Sequence, residues 1–163
     1  MRMKNFLILL FIVLSLSNQA SAQDNEKVYS FLGLHTAYSK YADQSTQSNG
    51  IKYGKQSDEW RTGISYNYAT DNQKTLQSLI MQMDSGIFSN LFQNIPLKPY
   101  AGFALGAMQY ENDKGYLYGV DGGLTYFLND EIDIDLGYRF MTTSKVLTVD
   151  SIKDLTLSLH YFY

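Results

Sequence analysis

The chain of 163 residues contains no cysteine, only two prolines and only two histidines. Without cysteine no disulfide can form, so stability has to come from hydrogen bonding and packing. The sequence also lacks a metal-binding cluster and a glycine-rich phosphate loop, so we expect no cofactor. With a net charge of −3 and no basic patch among its aromatic residues, the chain gives no support to nucleic-acid binding.

The N-terminal apolar run, Phe6 to Leu16, is too short for a spanning helix, which needs about 20 residues. Two basic residues precede the run, and Ala20-Ser21-Ala22 follows it with the small residues of a cleavage site. We therefore predict a cleavable signal peptide over residues 1–22 and one mature domain over residues 23–163. A retained membrane anchor is the alternative.

The rest of the chain alternates between apolar and polar residues in short segments that are separated by turn signals. Period-two alternation of this kind predicts β-strands. The eight predicted strands are Val28–Tyr38, Ile51–Gln56, Trp60–Tyr68, Thr75–Met83, Tyr100–Tyr110, Tyr116–Phe127, Glu131–Met141 and Ile152–Tyr163. With strands that alternate in direction, the connections at the end opposite the N-terminus, here called the predicted outer loops, are Tyr41–Gly50, Ala69–Lys74, Glu111–Gly115 and Thr142–Ser151.

Each predicted strand has one apolar face and one face of charge and glycine. In the seventh strand, Ile134 and Leu136 lie on the first face and Arg139 lies on the second. A soluble sandwich would bury the apolar face and is the alternative. The apolar rows begin and end in aromatics, however, as the girdles of a membrane barrel do. The predicted fold is all-β: an eight-stranded antiparallel up-and-down transmembrane β-barrel.

Three short motifs carry a family resemblance. The chain ends in LTLSLHYFY, with Leu159, Tyr161 and Tyr163 in one row; KPYAGFALG begins at Lys98, and IDLGYRF begins at Ile134. These motifs resemble those of small bacterial outer-membrane barrels of the opacity-porin and OmpA type. The resemblance implies a monomer in the outer membrane, surrounded by lipid bilayer and lipopolysaccharide. It also implies that the C-terminal residues are the signal read by the barrel-assembly machinery.

Charged residues on the predicted inner face are the candidate site. They are His35, Lys52, Arg61, Asp84, Asp121, Asp133, Asp135, Arg139 and His160. Unpaired charge is costly in a narrow lumen, so acids and bases there should pair. We predict a structural charge network in which Arg61 and Arg139 pair with Asp121, Asp133 and Asp135. The alternative is a narrow, low-conductance channel of the porin kind.

Catalysis and loop-mediated binding are the remaining alternatives. Some eight-stranded barrels of the bacterial outer membrane act on lipids, using histidine with serine or acidic partners near the outer surface. Here His35, His160 and Ser158 fall on the predicted inner face, away from lipid. The predicted outer loops are polar and lack the aromatic anchors of a dedicated adhesin. We therefore predict a non-catalytic barrel with a structural or surface-interaction role.

The connection from Asp84 to Lys98 is long for a turn on the periplasmic side. Its apolar residues recur at helical spacing: Ile87, Phe88, Leu91, Phe92 and Ile95. This stripe predicts a short helix at the membrane interface, stopped by Pro96. An irregular hydrophobic turn is the alternative, because a helix this short is marginal without packing.

Overall fold

A computed structural model describes residues 27–41, 44–57, 59–71, 74–86, 96–144 and 149–163. Within these ranges the regular elements are eight strands: β1 (Tyr29–Tyr41), β2 (Gln44–Gln56), β3 (Trp60–Asp71), β4 (Lys74–Gly86), β5 (Leu97–Tyr110), β6 (Asp113–Phe127), β7 (Ile132–Ser144) and β8 (Ser151–Phe162). Each strand pairs with the next one, and β8 pairs antiparallel with β1, so the sheet closes into a barrel. The predicted eight-stranded antiparallel barrel is confirmed.

Two predictions concern residues outside the described ranges. They are the signal peptide over residues 1–22 and the helical stripe between Ile87 and Ile95. In the part of the chain that the structure describes, there is no helix with the length and apolar character needed to cross a membrane.

The strands run further than their hydropathy suggests. β2 begins at Gln44, so most of the predicted loop Tyr41–Gly50 is strand paired with β1. Residues 44–49 are polar on both faces of the sheet, and alternation of hydropathy therefore carries no signal there. For the same reason β6 and β7 extend into the predicted loops and reach Asp113 and Ser144.

The outer wall of the barrel is apolar. Its exposed large residues include Leu34, Val120, Leu136 and Leu157, each at least half exposed. Aromatic residues stand at both ends of these rows. Near the end where β1 begins and β8 ends, here called the terminal end, they are Tyr29, Trp60, Tyr126, Tyr161 and Tyr163; near the opposite, far end, they are Tyr38, Tyr68, Tyr116 and Tyr118.

Candidate functional site in the barrel interior

The predicted inner-face residues all point into the barrel. Each of the nine, from His35 to His160, is at most 9% exposed. Alternation places them there, because every second side chain of a barrel strand faces inward. Together they form a polar zone that fills the middle of the barrel and the part near the terminal end.

Arg61 of β3 is the centre of the polar zone. Its Nε lies 3.0 Å from Oδ2 of Asp84, and its Nη2 lies 2.5 Å from Oδ2 of Asp135. The hydroxyl of Tyr100 donates to the other oxygen of Asp135 at 2.7 Å, and the Tyr100 ring lies 4.7 Å from the guanidinium carbon. One cation thus joins β3 to its neighbour β4 and, across the lumen, to β7, and two buried carboxylates share its charge.

Asp121 is held by an amide. The side-chain nitrogen of Gln82 donates to Oδ2 of Asp121 at 2.9 Å and to both oxygens of Asp84 at 3.2 and 3.1 Å. Asp121 is the backbone partner of Arg139 across β6 and β7, yet the two side chains form no ion pair. The predicted pairing of Arg139 with Asp121 is therefore replaced by a hydrogen bond from Gln82.

Arg139 pairs with Asp154, which the sequence reasoning did not single out. Nε and Nη2 of Arg139 lie 3.1 and 2.6 Å from the same oxygen, Oδ2 of Asp154. The two residues are direct partners across β7 and β8. The sequence did carry a signal for this pair: Ser158 and His160 lie on the predicted inner face of β8, and counting back from Ser158 in steps of two reaches Asp154.

Asp133 pairs with the second histidine and with neither arginine. Its Oδ1 lies 2.7 Å from Nδ1 of His160, and both side chains are fully buried. The imidazole lies over Gly33 of β1, where an added Cβ would stand 2.5 Å from a ring carbon. Gly33 and His160 are direct partners, so the glycine leaves the room that the ring occupies.

The far end of the interior carries a cluster of buried apolar side chains, with the buried serines Ser39, Ser48 and Ser78 beside it, and the sequence reasoning did not predict this cluster. The residues that form this apolar cap are Tyr41, Ala69, Leu76, Ile80, Ala104, Met108, Tyr110, Leu117, Met141, Val149 and Ile152. Val149 lies outside the strands and is fully buried, so a loop residue completes the closure. Below the cap, the gap among His35, Lys52 and Asp121 measures about 20 Å³, which is room for about one water molecule.

Neither histidine lies on the outer wall of the barrel. The chain has two histidines, and both lie inside, at 8% and 0% exposure for His35 and His160. His35 Nε2 contacts the side-chain oxygen of Asn67, and Ser158 is also buried. A lipid-active histidine has to reach the lipid-facing surface, and neither of these does.

The C-terminal residues form the outer row of β8. Leu159, Tyr161 and Tyr163 are 48%, 49% and 64% exposed. The backbone nitrogen of Tyr163 donates to the carbonyl of Ser30 at 3.0 Å, so the chain end is tied into the closing seam. This geometry leaves the predicted assembly signal accessible from outside the barrel.

Deleting Tyr161 to Tyr163 is expected to reduce the folded barrel severely, because the β1–β8 seam loses its last pairs. The measurement is the amount of heat-modifiable protein in outer-membrane fractions. The matched control is Tyr161→Phe with Tyr163→Phe, which keeps the aromatic row and should fold normally. Wild-type amounts after the deletion would contradict the prediction.

Comparisons with known proteins give the fold. No family model and no curated protein sequence matches the chain. Among solved structures, neisserial surface protein A is 19% identical with a TM-score of 0.68, covering 86% of this chain and 100% of its own. OprH of Pseudomonas aeruginosa is 20% identical with a TM-score of 0.61, covering 83% and 99%.

A third similar structure is an enzyme. The outer membrane enzyme PagL is 11% identical with a TM-score of 0.53, covering 80% of this chain and 98% of its own. The fold is therefore found in at least one enzyme, and it does not decide whether this chain is one. The chain has the fold of the small eight-stranded β-barrels of the bacterial outer membrane.

Proposed function

We propose that this chain is an integral outer-membrane barrel with a closed lumen, which serves as a non-catalytic structural or surface-interacting protein. The observation that carries the proposal is the filled interior: ion pairs occupy the polar zone, and the apolar cap closes the far end. An eight-stranded barrel is just wide enough for its own side chains, so such a filling leaves no continuous passage.

The outer wall supports the membrane location. Exposed leucine and valine side chains in a continuous belt are unfavourable in water and suit lipid, and the aromatic ends of the rows suit the two interfaces. With both termini in the periplasm, the far end faces the outside of the cell. The expected partners are then the bilayer and lipopolysaccharide, with the barrel-assembly machinery acting during biogenesis.

Planar-bilayer recording tests the closed lumen. The purified, refolded protein is expected to stay silent under conditions in which a sixteen-stranded porin conducts steadily. A reproducible open state would overturn the closed lumen and favour the narrow channel. In a channel, ions would pass along the polar zone of the lumen, and the apolar cap would oppose their passage at the far end.

A lipid-turnover assay tests the absence of catalysis. The barrel in vesicles of outer-membrane lipids is expected to release no more fatty acid than a variant with both His35→Asn and His160→Asn. Release that the wild type shows and this variant lacks would overturn the proposal, because it would require a histidine at the lipid surface.

A further inference from the structure

Two exposed lysines stand directly opposite each other on the outer wall. Lys40 of β1 and Lys153 of β8 are register partners, and both side chains are exposed. Directly opposed residues of an antiparallel pair have Cβ atoms about 4.5–5.5 Å apart, and like charges placed so are destabilising. The closing seam of the barrel thus holds a repulsive pair that a bound anion would relieve.

No carboxylate of the four surrounding strands lies on the outer wall, and exposed Asp150, which precedes β8, forms no ion pair with Lys153. The strands β7, β8, β1 and β2 contain three carboxylates, Asp133, Asp135 and Asp154, and all three are buried inside the barrel. In the ranges that the structure describes, neither Lys40 nor Lys153 has an acidic partner within 4 Å. Among the described residues, the two positive charges therefore have no opposite charge within ion-pair distance, on a chain that is acidic overall.

The register places the lysines at the upper border of the apolar belt. Their row runs Phe140, Lys153, Lys40 and Ser45 across the four strands. The next row toward the terminal end runs Tyr138, Leu155, Tyr38 and Gln47, and its first three members are at least half exposed. The ammonium groups therefore lie one row beyond the belt, at the level of lipid headgroups.

The neighbours of the pair suit a headgroup. The Nζ of Lys153 lies 5.8 Å from the centroid of the Phe140 ring, which holds its stem along the wall. On the other side, Gln47 donates to Thr36 at 3.1 Å and to Asn49 at 3.2 Å, which gives the outward face of β2 a polar surface. The two lysines therefore have an apolar side chain, Phe140, on one side and the hydrogen-bonding side chains of β2 on the other.

We propose that Lys40 and Lys153 form a clamp for one phosphate of lipid A, the membrane-anchored part of lipopolysaccharide. The clamp rests on the proposed function, because that orientation puts the far end in the leaflet that carries this glycolipid. A phosphate offers several acceptor oxygens to two ammonium groups at once. The acyl chains of the same lipid then cover Tyr38 and Leu155, and its sugar faces Gln47.

The test measures lipid A affinity in refolded, detergent-solubilised barrels by native mass spectrometry. A lysine near a membrane surface contributes about 1 kcal/mol, so each single variant, Lys40→Gln or Lys153→Gln, should weaken binding about five-fold. The double variant should weaken it about thirty-fold. The matched control is Lys114→Gln: Lys114 is exposed at the same end of the barrel but lies opposite Gln109. Its affinity should not change.

The same binding measurement with other ligands identifies which chemical group the lysines bind. Dephosphorylated lipid A should bind the wild type as weakly as phosphorylated lipid A binds the double variant. Inorganic phosphate at about 10 mM should compete only slightly, because without acyl chains it binds the two lysines weakly. Unchanged affinity in the double variant would overturn the clamp. So would a soluble heparin fragment that binds more tightly than lipid A and with the same lysine dependence. Failure of the wild type to enter bilayers would overturn the proposed function, and the clamp with it.

Discussion

Leu136→Arg is expected to lower the free energy of unfolding in lipid vesicles by about 2–4 kcal/mol. Leu136 is half exposed on the outer wall, in the middle of β7 and between the aromatic ends of the belt. An arginine there would have to bring its charge into the hydrocarbon or distort the bilayer. Urea titration of the refolded barrel gives the free energy directly.

The matched control for this substitution is Thr70→Arg. Thr70 is exposed near the far end of β3, beyond Tyr68, where the side chain reaches water. Charged substitutions near the interface cost about 0–1 kcal/mol, so the control should be mild. Equal destabilisation by both substitutions would show that the wall has no depth dependence, and the barrel would then not sit in a bilayer as proposed.

The wall of the barrel was predictable because it follows from the two-residue period of a strand alone. In β7 the outward row of Ile134, Leu136 and Tyr138 and the inward row of Asp135 and Arg139 are as predicted. Period two fixes the face of a side chain once the strand is located. The prediction failed at the polar start of β2, where both faces are hydrophilic and the strand is held by its register with β1.

The partners inside the barrel were less predictable, because they depend on register and on side-chain reach. Asp121 and Arg139 are backbone partners, but the guanidinium turns to Asp154 on the other neighbouring strand. Arg61 reaches Asp135 across the lumen; this pair belongs to the predicted set, but the sequence does not say which of the three carboxylates Arg61 meets. The apolar cap was missed for a related reason: its residues come from the ends of several strands and from Val149, and no single segment shows it.

The contribution of the polar zone to stability is best measured at the Arg139–Asp154 pair. Arg61 touches two carboxylates and a tyrosine, so its removal disturbs several contacts at once. Arg139, by contrast, pairs with one carboxylate, and both members are less than 10% exposed. Arg139→Ala should leave Asp154 charged and unpaired at the border of the apolar cap. A buried pair that loses one partner costs about 3–5 kcal/mol, and we expect a loss of that size.

Removing both charges distinguishes the effect of the ion pair on stability from the effect of the volume that its side chains fill. A variant with Arg139→Met and Asp154→Leu should recover most of the stability, because apolar side chains of similar volume often replace a buried ion pair at little cost. Urea titration in vesicles measures both variants, and planar-bilayer recording of the same samples shows what the pair does to the lumen. A plugged scaffold predicts a large loss for Arg139→Ala, recovery in the double variant, and silence throughout. If Arg139→Ala instead kept its stability and began to conduct, the guanidinium would be a gate, and the closed lumen proposed above would be wrong.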